Sequence, residues 1–175
     1  MPLDHLWATW RSAYVTGVVD SRTLPSAEEA AGRSLFERIL AGADEHGDVE
    51  AGVLWRGPTC FALINLYPYT AGPLMVLPQR AVADLEALSE AEHAELWGAV
   101  RSAVVALKAA FSCDAVNVGL NLGEAAGGSQ SDHLHVHCVP RWLGDANFIA
   151  VAADTRVLPV GLEEAAARLR AAWPA

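Results

Sequence analysis

Apolar and polar positions alternate along this chain with two different periods, and these periods predict its secondary structure. Apolar residues recur at helical spacing in three segments, at residues 27–40, 89–111 and 162–173. Short apolar runs typical of strands occupy residues 53–56, 60–66, 74–77, 115–122 and 134–139, with a weaker one at 148–151. The stretch 41–50 is rich in acidic residues and glycine and is predicted to be a loop.

Two serines mark the predicted starts of two helices. Ser26 stands three residues before Glu29, and Ser89 stands three residues before Glu92. This is the spacing of a capping box, in which a hydroxyl and a carboxylate each accept a hydrogen bond from an otherwise unpaired backbone N–H group.

The order of the predicted elements indicates the fold class. Helices alternate with groups of antiparallel strands rather than with single strands, which predicts an α+β fold and not a chain of βαβ units.

The pattern also predicts how the chain is organised. The 175 residues suit one domain, here residues 26–152, with an N-terminal extension at 1–25 and a C-terminal helical extension at 153–175. Because 53% of the residues are hydrophobic, a sizeable core can form.

Charge narrows the range of partners. Acidic residues number 21 against 12 basic ones, which gives a net charge of −9. Binding to nucleic acid or to an anionic membrane draws most of its affinity from a basic surface, so neither is expected here. A small polyanion can still bind where a few arginines and backbone N–H groups converge.

The cysteines and the apolar runs bear on the compartment. The three cysteines, Cys60, Cys113 and Cys138, are scattered among apolar residues and are expected to be buried, reduced thiols. No signal-like N-terminus and no apolar run of about 20 residues is present in the sequence. We therefore expect a cytoplasmic protein.

The segment with the most specific chemistry is His-Leu-His-Val-His-Cys-Val at residues 133–139. Side chains alternate between the two faces of a strand, so His133, His135 and His137 are expected to point the same way and to form an exposed ridge. The residues between them, Leu134, Val136 and Cys138, are expected to face the core.

Three interpretations of these histidines are possible. They could be ordinary exposed positions, or they could bind a metal ion, since paired strand histidines ligate zinc and iron. Phosphorus chemistry accounts for more of the sequence, because a glycine-rich stretch at 123–129 lies just before them and could cradle an anion. The central imidazole could then attack phosphorus while its neighbours donate hydrogen bonds to the phosphoryl oxygens.

The same residues resemble a known family. The run at 133–139 fits the His-φ-His-φ-His-φ-φ signature of the histidine-triad (HIT) superfamily, where φ is an apolar residue. The surrounding sequence is similar to the diadenosine tetraphosphate (Ap4A) phosphorylase-like branch of that superfamily. The segments that carry this similarity are residues 6–7, 10–11, 66–69, 117–123, 126–129, 139–142 and 144–148.

The resemblance implies a fold, an activity and a set of site residues. The fold would be an antiparallel sheet of about five strands with a long and a shorter helix packed on it, extended across a homodimer. His135 would be the nucleophile that attacks the α-phosphorus of a dinucleoside polyphosphate, flanked by His133 and His137, and inorganic phosphate would be the second acceptor. No cofactor is implied. The expected substrate-binding residues are Asn65, Asn121, Gly128, Ser129 and Gln130.

Two positions depart from the family pattern. Relatives usually carry a histidine where this chain has Pro73, so support for the catalytic imidazoles must come from elsewhere. Many also carry a zinc-binding CxxC motif where this chain has Ser34 and Glu37, so no structural zinc is expected. Two alternative functions stay open, a nucleotide or nucleoside-phosphoramidate hydrolase that uses water and a weakly catalytic nucleotide-binding regulator. Arg141 could steady a polyphosphate or simply be solvated.

Overall fold

The computed structural model describes residues 32–66, 71–126, 130–145 and 160–174. In these ranges three α-helices and five strands follow one another, with two short 3₁₀ turns at Leu85–Ala87 and Glu124–Ala126. The elements in chain order are α1 (Leu35–His46), β1 (Val53–Arg56), β2 (Cys60–Ile64), β3 (Leu74–Pro78), α2 (Glu90–Phe111), β4 (Ala115–Leu120), β5 (Val136–Arg141) and α3 (Leu162–Ala172).

The strands form one antiparallel sheet in the order β1-β2-β3-β5-β4. The strand that carries the histidines, β5, therefore lies between β3 and β4. On β5, His137 is paired with Met75 of β3 on one side and with Gly119 of β4 on the other. Among the described strands, β4 forms one edge of the sheet.

Helices cover both faces of the sheet, and β3 shows how the residues divide between them. Leu74 and Val76 belong to the larger core, against α2 and α3, whereas Met75 and Leu77 belong to a smaller core against α1. All five residues of β3 are buried, since a strand covered on both faces is apolar throughout. His137 shares a face with its partner Met75, which places it on the α1 side.

These observations confirm the α+β class and the five-stranded antiparallel sheet. They also confirm the capping box at Ser89 and the C-terminal helix, whose Leu169 is buried in the same core as α2. The prediction of a loop at residues 41–50 was wrong, because α1 continues to His46 and ends only at Gly47. The predicted Ser26 capping box and the weak strand at 148–151 lie outside the described residues, and the domain boundaries stay a prediction.

The cysteines are buried and unpaired, as expected. Burial raises the pKa of the Cys138 thiol to about 12, so this thiol stays protonated and unreactive at neutral pH. None of the helices in the described ranges is long and apolar enough to cross a membrane.

The capping box of α2 also gives a prediction about acid stability. The Glu92 carboxylate accepts two hydrogen bonds from Arg80, at 2.6 and 2.8 Å, and one from the Ser89 backbone N–H at 2.8 Å. These contacts, with that of Arg80 the strongest, lower the pKa of Glu92 from 4.5 to about 2. A carboxyl whose pKa is lower in the folded than in the unfolded protein stabilises the fold above its unfolded pKa. That stabilisation is lost as the pH falls from about 4.5 to about 2.

We therefore expect Glu92→Gln to lower the free energy of unfolding at pH 7 by about 1–2 kcal/mol. This is less than the pKa shift alone would give, because Arg80 is half exposed and solvent weakens its interaction with Glu92. The variant should also lose less stability than the wild type between pH 4.5 and 2. Urea unfolding across this pH range measures both effects. Glu90→Gln, an exposed position in the same helical turn, is the control. If the free energy of unfolding fell with pH between 4.5 and 2 as steeply in Glu92→Gln as in the wild type, the lowered pKa would not belong to Glu92.

Candidate active site

The three histidines lie where the chain runs into β5 alongside the end of β3. Pairing between these strands stops at Val76 and Val136, although β3 continues to Pro78. The residue before Val136 is therefore not held by β3. Instead, the backbone N–H of Leu134 donates to the carbonyl oxygen of Val82 at 2.7 Å, which fixes the path of the chain through His133 and His135.

His133 is completely buried and bonded at both ring nitrogens. Nε2 lies 2.8 Å from the carbonyl oxygen of Pro78, and Nδ1 lies 2.6 Å from the Ser34 hydroxyl oxygen. A carbonyl oxygen only accepts, so Nε2 must carry a proton. Burial lowers the pKa of His133 and favours the neutral ring. In that form Nδ1 is unprotonated and accepts a hydrogen bond from Ser34.

His135 is 7% exposed, and its orientation is fixed by the backbone of the preceding histidine. Its Nδ1 lies 2.8 Å from the carbonyl oxygen of His133. Because that oxygen can only accept, Nδ1 carries the proton, and the neutral imidazole has its lone pair on Nε2. An unprotonated nitrogen held in one direction is what an attack on an electrophilic phosphorus atom requires.

His137 is half-buried and stands beside the second histidine. The ring centroids of His135 and His137 are 4.9 Å apart, and the rings meet edge to face at 77°. Of the three histidines, His137 alone lies on the regular strand β5. It is therefore placed to assist chemistry at His135 from the side of the sheet.

This geometry corrects the expectation of an exposed ridge. The intervening residues Leu134, Val136 and Cys138 are buried, as predicted. However, His133 is as buried as they are, and its two nitrogens already bond to protein atoms. Both ring nitrogens of His133 are therefore engaged by protein atoms in the described part of the chain, and its predicted place beside the phosphate stays a prediction. The physical reason for the burial is that the first turn of α1 covers this side of the sheet. The three histidines do lie on one side, as predicted, since Leu134, Val136 and Cys138 belong to the larger core on the opposite face and Phe36 contacts both His133 and His135.

The first turn of α1 supports the buried histidines, and sequence reasoning missed this role. Ser34 is the N-cap of α1 and forms a capping box with Glu37, in addition to its bond to His133. Phe36 packs against both imidazoles, with centroid distances of 5.3 Å to His133 and 5.2 Å to His135. The sequence does indicate the helix start, since residues 34–37 read Ser-x-x-Glu, but this spacing does not indicate a contact with a histidine 99 positions later.

Glu37 connects this turn to the chain after β3. Its carboxylate accepts from the backbone N–H of Ser34 and from that of Ala81, each at 2.9 Å. Partial burial acts to raise the pKa of Glu37, but these two hydrogen bonds and the nearby His133 outweigh it and lower that pKa. The carboxylate is therefore ionised at neutral pH and ties α1 to the segment that also holds Leu134.

The predicted substrate-binding residues fall into two groups. Asn65 directly follows β2 and is buried, whereas Asn121 directly follows β4 and is exposed. Gln130 is half-buried, three residues before the first histidine. Gly128 and Ser129 lie outside the described residues. Within the described part of the chain, no three His, Cys, Asp or Glu side chains form a group that could hold a metal ion.

Comparison with known proteins identifies the family of this chain. The family described as HIT domain matches residues 46–142. The chain is also 41% identical over 171 residues to a protein of Mycobacterium tuberculosis named AP-4-A phosphorylase, an alignment that covers 98% of this chain and 85% of the relative. The chain belongs to the HIT family. The match to a phosphorylase over nearly the whole length of the chain, together with the HIT family, shows that this protein is an enzyme of the phosphorylase or hydrolase type.

Other HIT relatives align over a shorter range. A bis(5'-nucleosyl)-tetraphosphatase (asymmetrical) of Schizosaccharomyces pombe is 36% identical over 97 residues, which are 55% of this chain and 53% of the relative. Among solved structures, a zinc-bound histidine triad family protein of Mycobacterium smegmatis superposes with a TM-score of 0.58 at 26% identity. That match covers 69% of this chain and 81% of the neighbour.

Two residues singled out in the sequence, Pro73 and Arg141, can now be placed in the structure. Pro73 cannot donate a hydrogen bond from its nitrogen, yet Ser34, the carbonyl of Pro78 and that of His133 all hold the imidazoles. Arg141 donates to both carboxylate oxygens of Asp145, at 2.6 and 2.7 Å, and to the Asn117 side chain at 3.0 Å. Arg141 is therefore bound at the end of β5 and is neither simply solvated nor directed at the histidines.

Proposed function

We propose that this enzyme cleaves dinucleoside polyphosphates of the Ap4A type by nucleotidyl transfer at the α-phosphorus, through a covalent intermediate on His135. The observation that carries the proposal is the hydrogen bond from His135 Nδ1 to the His133 carbonyl, which leaves the Nε2 lone pair as the nucleophile. The name of the M. tuberculosis relative supplies the class of substrate.

In the first step, the Nε2 lone pair of His135 forms a bond to the α-phosphorus. The bond from this phosphorus to the bridging oxygen breaks, and its electron pair leaves with the remaining phosphates as ATP. Positive charge develops on the His135 ring, and the His133 carbonyl stabilises it through the Nδ1–H bond. His137, edge to face with His135, is the residue we place at the phosphoryl or leaving oxygen.

In the second step, an oxygen of inorganic phosphate attacks the phosphorus of the adenylyl-histidine. The P–N bond breaks, its electrons return to His135 Nε2, and ADP is released. Water attacking the same intermediate would give AMP instead, which is the hydrolase alternative. The sequence match to a phosphorylase over 98% of the chain favours phosphate, since the match to a tetraphosphatase covers only 55%.

Three contacts favour an active enzyme over a weakly catalytic regulator. The regulator was suggested by Pro73, which removes a usual donor. However, the imidazoles of His133 and His135 are fixed by hydrogen bonds of 2.6–2.8 Å. A side chain held this way retains the preorganisation that catalysis needs.

The substrate contacts are part of the same proposal. Asn65 and Asn121 directly follow strands β2 and β4, and we place them, with Gly128, Ser129 and Gln130, around the nucleotide and its phosphates. We also propose, from the net charge of −9, that the enzyme binds neither nucleic acid nor anionic membranes. From its three buried, unpaired cysteines we propose that it is cytoplasmic.

The product pattern tests the proposal. Purified enzyme is incubated with Ap4A in the presence and absence of inorganic phosphate, and the nucleotides are separated by ion-exchange chromatography. We expect ADP and ATP in equal amounts, formed only when phosphate is present. AMP and ATP formed without phosphate would establish the hydrolase. No turnover under either condition would overturn the assignment of an Ap4A-cleaving enzyme.

We also propose that the enzyme is a homodimer whose sheet continues across β4. This strand is an edge of the sheet and bears exposed apolar side chains, with Val118 at 42% and the nearby Leu122 at 43%. An edge strand with apolar residues favours pairing with a second strand. A second copy of the chain offers the same edge, which makes a symmetric pairing possible.

We therefore expect the double variant Val118→Lys, Leu122→Lys to be monomeric where the wild type is a dimer, because four lysines would meet across the two-fold axis. Light scattering coupled to gel filtration gives the two masses. Val49→Lys is the control, since Val49 is 73% exposed in the loop after α1 and should leave the mass of the wild type unchanged. A wild type that is monomeric at all concentrations would refute the dimer.

A further inference from the structure

We propose that Ser34 is a positioning residue for His135, and that it acts through the buried ring of His133. The inference rests on the proposed function, in which His135 is the nucleophile. It adds a residue from a distant part of the chain, 99 positions before the histidine that it contacts. The serine hydroxyl, the His133 ring and the His133 carbonyl form one continuous hydrogen-bonded path to His135 Nδ1.

The direction of each hydrogen bond along this path is determined by its partners. The Pro78 carbonyl requires a proton on His133 Nε2, so the neutral ring presents a bare Nδ1 to Ser34. The Ser34 oxygen accepts from the Glu37 backbone N–H at 3.2 Å, and its own proton is donated to the bare Nδ1 of His133 at 2.6 Å. The serine therefore serves two elements at once, as acceptor for the helix and as donor to the histidine.

These contacts hold the His133–Leu134 peptide from three sides. The ring of His133 is bonded to α1 through Ser34 and to β3 through Pro78, and the N–H of Leu134 is bonded to Val82. The carbonyl of this same peptide accepts from His135. Its direction therefore depends on both anchors of the ring, and Ser34 is the one anchor of that ring supplied by α1 among the described hydrogen bonds.

Loss of the hydroxyl would leave a buried acceptor without a donor. The ring would then rotate, change tautomer or admit water, because an unpaired buried nitrogen is costly. Any of these changes would loosen the carbonyl that keeps the proton on Nδ1 of His135. The fraction of His135 with its lone pair correctly directed would fall, so the chemical step should slow while substrate binding is little changed.

The chain contains a matched control for this proposal. Ser89 is the N-cap of α2 and forms the corresponding capping box with Glu92, but its hydroxyl donates to the Glu92 carboxylate at 2.9 Å and not to a histidine among the described contacts. Replacing either serine with glycine should affect helix capping similarly and mildly, since glycine is itself an acceptable N-cap. Only Ser34→Gly also removes the donor to His133.

The experiment compares Ser34→Gly, Ser34→Thr, Ser89→Gly and His135→Ala with the wild type. For each protein we would measure kcat and KM for Ap4A with phosphate, the melting temperature, and the tautomer of His133 by ¹⁵N NMR. We expect Ser34→Gly to lower kcat about 10- to 100-fold with KM within about twofold, as when outer partners of an active-site histidine are removed. Ser34→Thr keeps the hydroxyl and should recover most of this loss.

The outcomes separate this proposal from the proposed function. A wild-type kcat in Ser34→Gly, or an equal fall in kcat in Ser34→Gly and Ser89→Gly, would overturn the positioning role, even if His135→Ala is inactive. Undiminished turnover by His135→Ala would instead refute the nucleophile itself. In the wild type, NMR should show His133 protonated at Nε2 only, and a proton on Nδ1 would contradict the donor role of Ser34.

Discussion

Replacing His135 with alanine is expected to lower the turnover of Ap4A by at least about a thousandfold, the scale of loss seen when a covalent nucleophile is removed. The reason is geometric, because no other described imidazole has an unprotonated nitrogen held beside His137 in the same way. His133 cannot replace it, since both of its nitrogens are bonded to protein atoms. Steady-state assays with Ap4A and phosphate measure the effect.

Trapping the covalent intermediate provides a second readout for the same variant. Wild-type enzyme mixed in the absence of phosphate with Ap4A radiolabelled at the α-phosphorus, and then quenched in alkali, should retain label on the protein, and this label should be lost on later exposure to low pH, where the P–N bond is labile. His135→Ala should retain none. His46→Ala is the control, because His46 is an exposed histidine at the end of α1. Label that remains on His135→Ala would place the nucleophile on another residue.

Much of the fold could be predicted because its strands and long helix carry strong local signals. The apolar run at β3 is buried on both faces, and the Ser89–Glu92 spacing marks the start of α2 correctly. The end of α1 was missed because Asp44 and Glu45 look like loop residues when considered alone. In the structure Asp44 forms an ion pair with Arg56 of β1, a contact between distant residues that local pattern does not reveal.

The site was predictable as a cluster but not in its internal arrangement. Three alternating histidines are visible in the sequence, and the rule of strand alternation makes them equivalent. They do share one side of the strand, but they are not equivalent in the structure, because the first turn of α1 covers His133 completely and His135 almost completely. His133 is consequently turned inward to Ser34, and this pairing joins residues whose separation gives no sequence signal.

The different positions of the three histidines change the chemistry that we assign to each of them. His133 is buried and bonded at both ring nitrogens, and it presents its backbone carbonyl to the proton of His135. The first histidine therefore orients the second, while the third, His137, lies half-buried against it on the regular strand. In the proposed mechanism three identical side chains thus take three roles, and the difference follows from how far α1 covers each of them.

The second large effect is expected at Phe36, which joins the helix α1 to the site. Its side chain is 3% exposed and belongs to the smaller core with Leu63 and Leu77, and its ring contacts His133 and His135. Truncating a buried phenylalanine costs about 3–5 kcal/mol, because apolar contacts are lost and a cavity remains. We therefore expect Phe36→Ala to lower the free energy of unfolding by that amount, measured by urea denaturation.

The same substitution should reduce activity in the molecules that stay folded. Without the phenyl ring, the two buried imidazoles lose an apolar wall and gain room to rotate. Leu169→Ala separates this effect from general instability, since Leu169 is completely buried in the larger core on the opposite face of the sheet. Its loss of stability should be of similar scale, about 2–5 kcal/mol. At a temperature where both variants are folded, kcat should fall only in Phe36→Ala. An equal kcat in the two variants would show that Phe36 stabilises the fold without ordering the histidines.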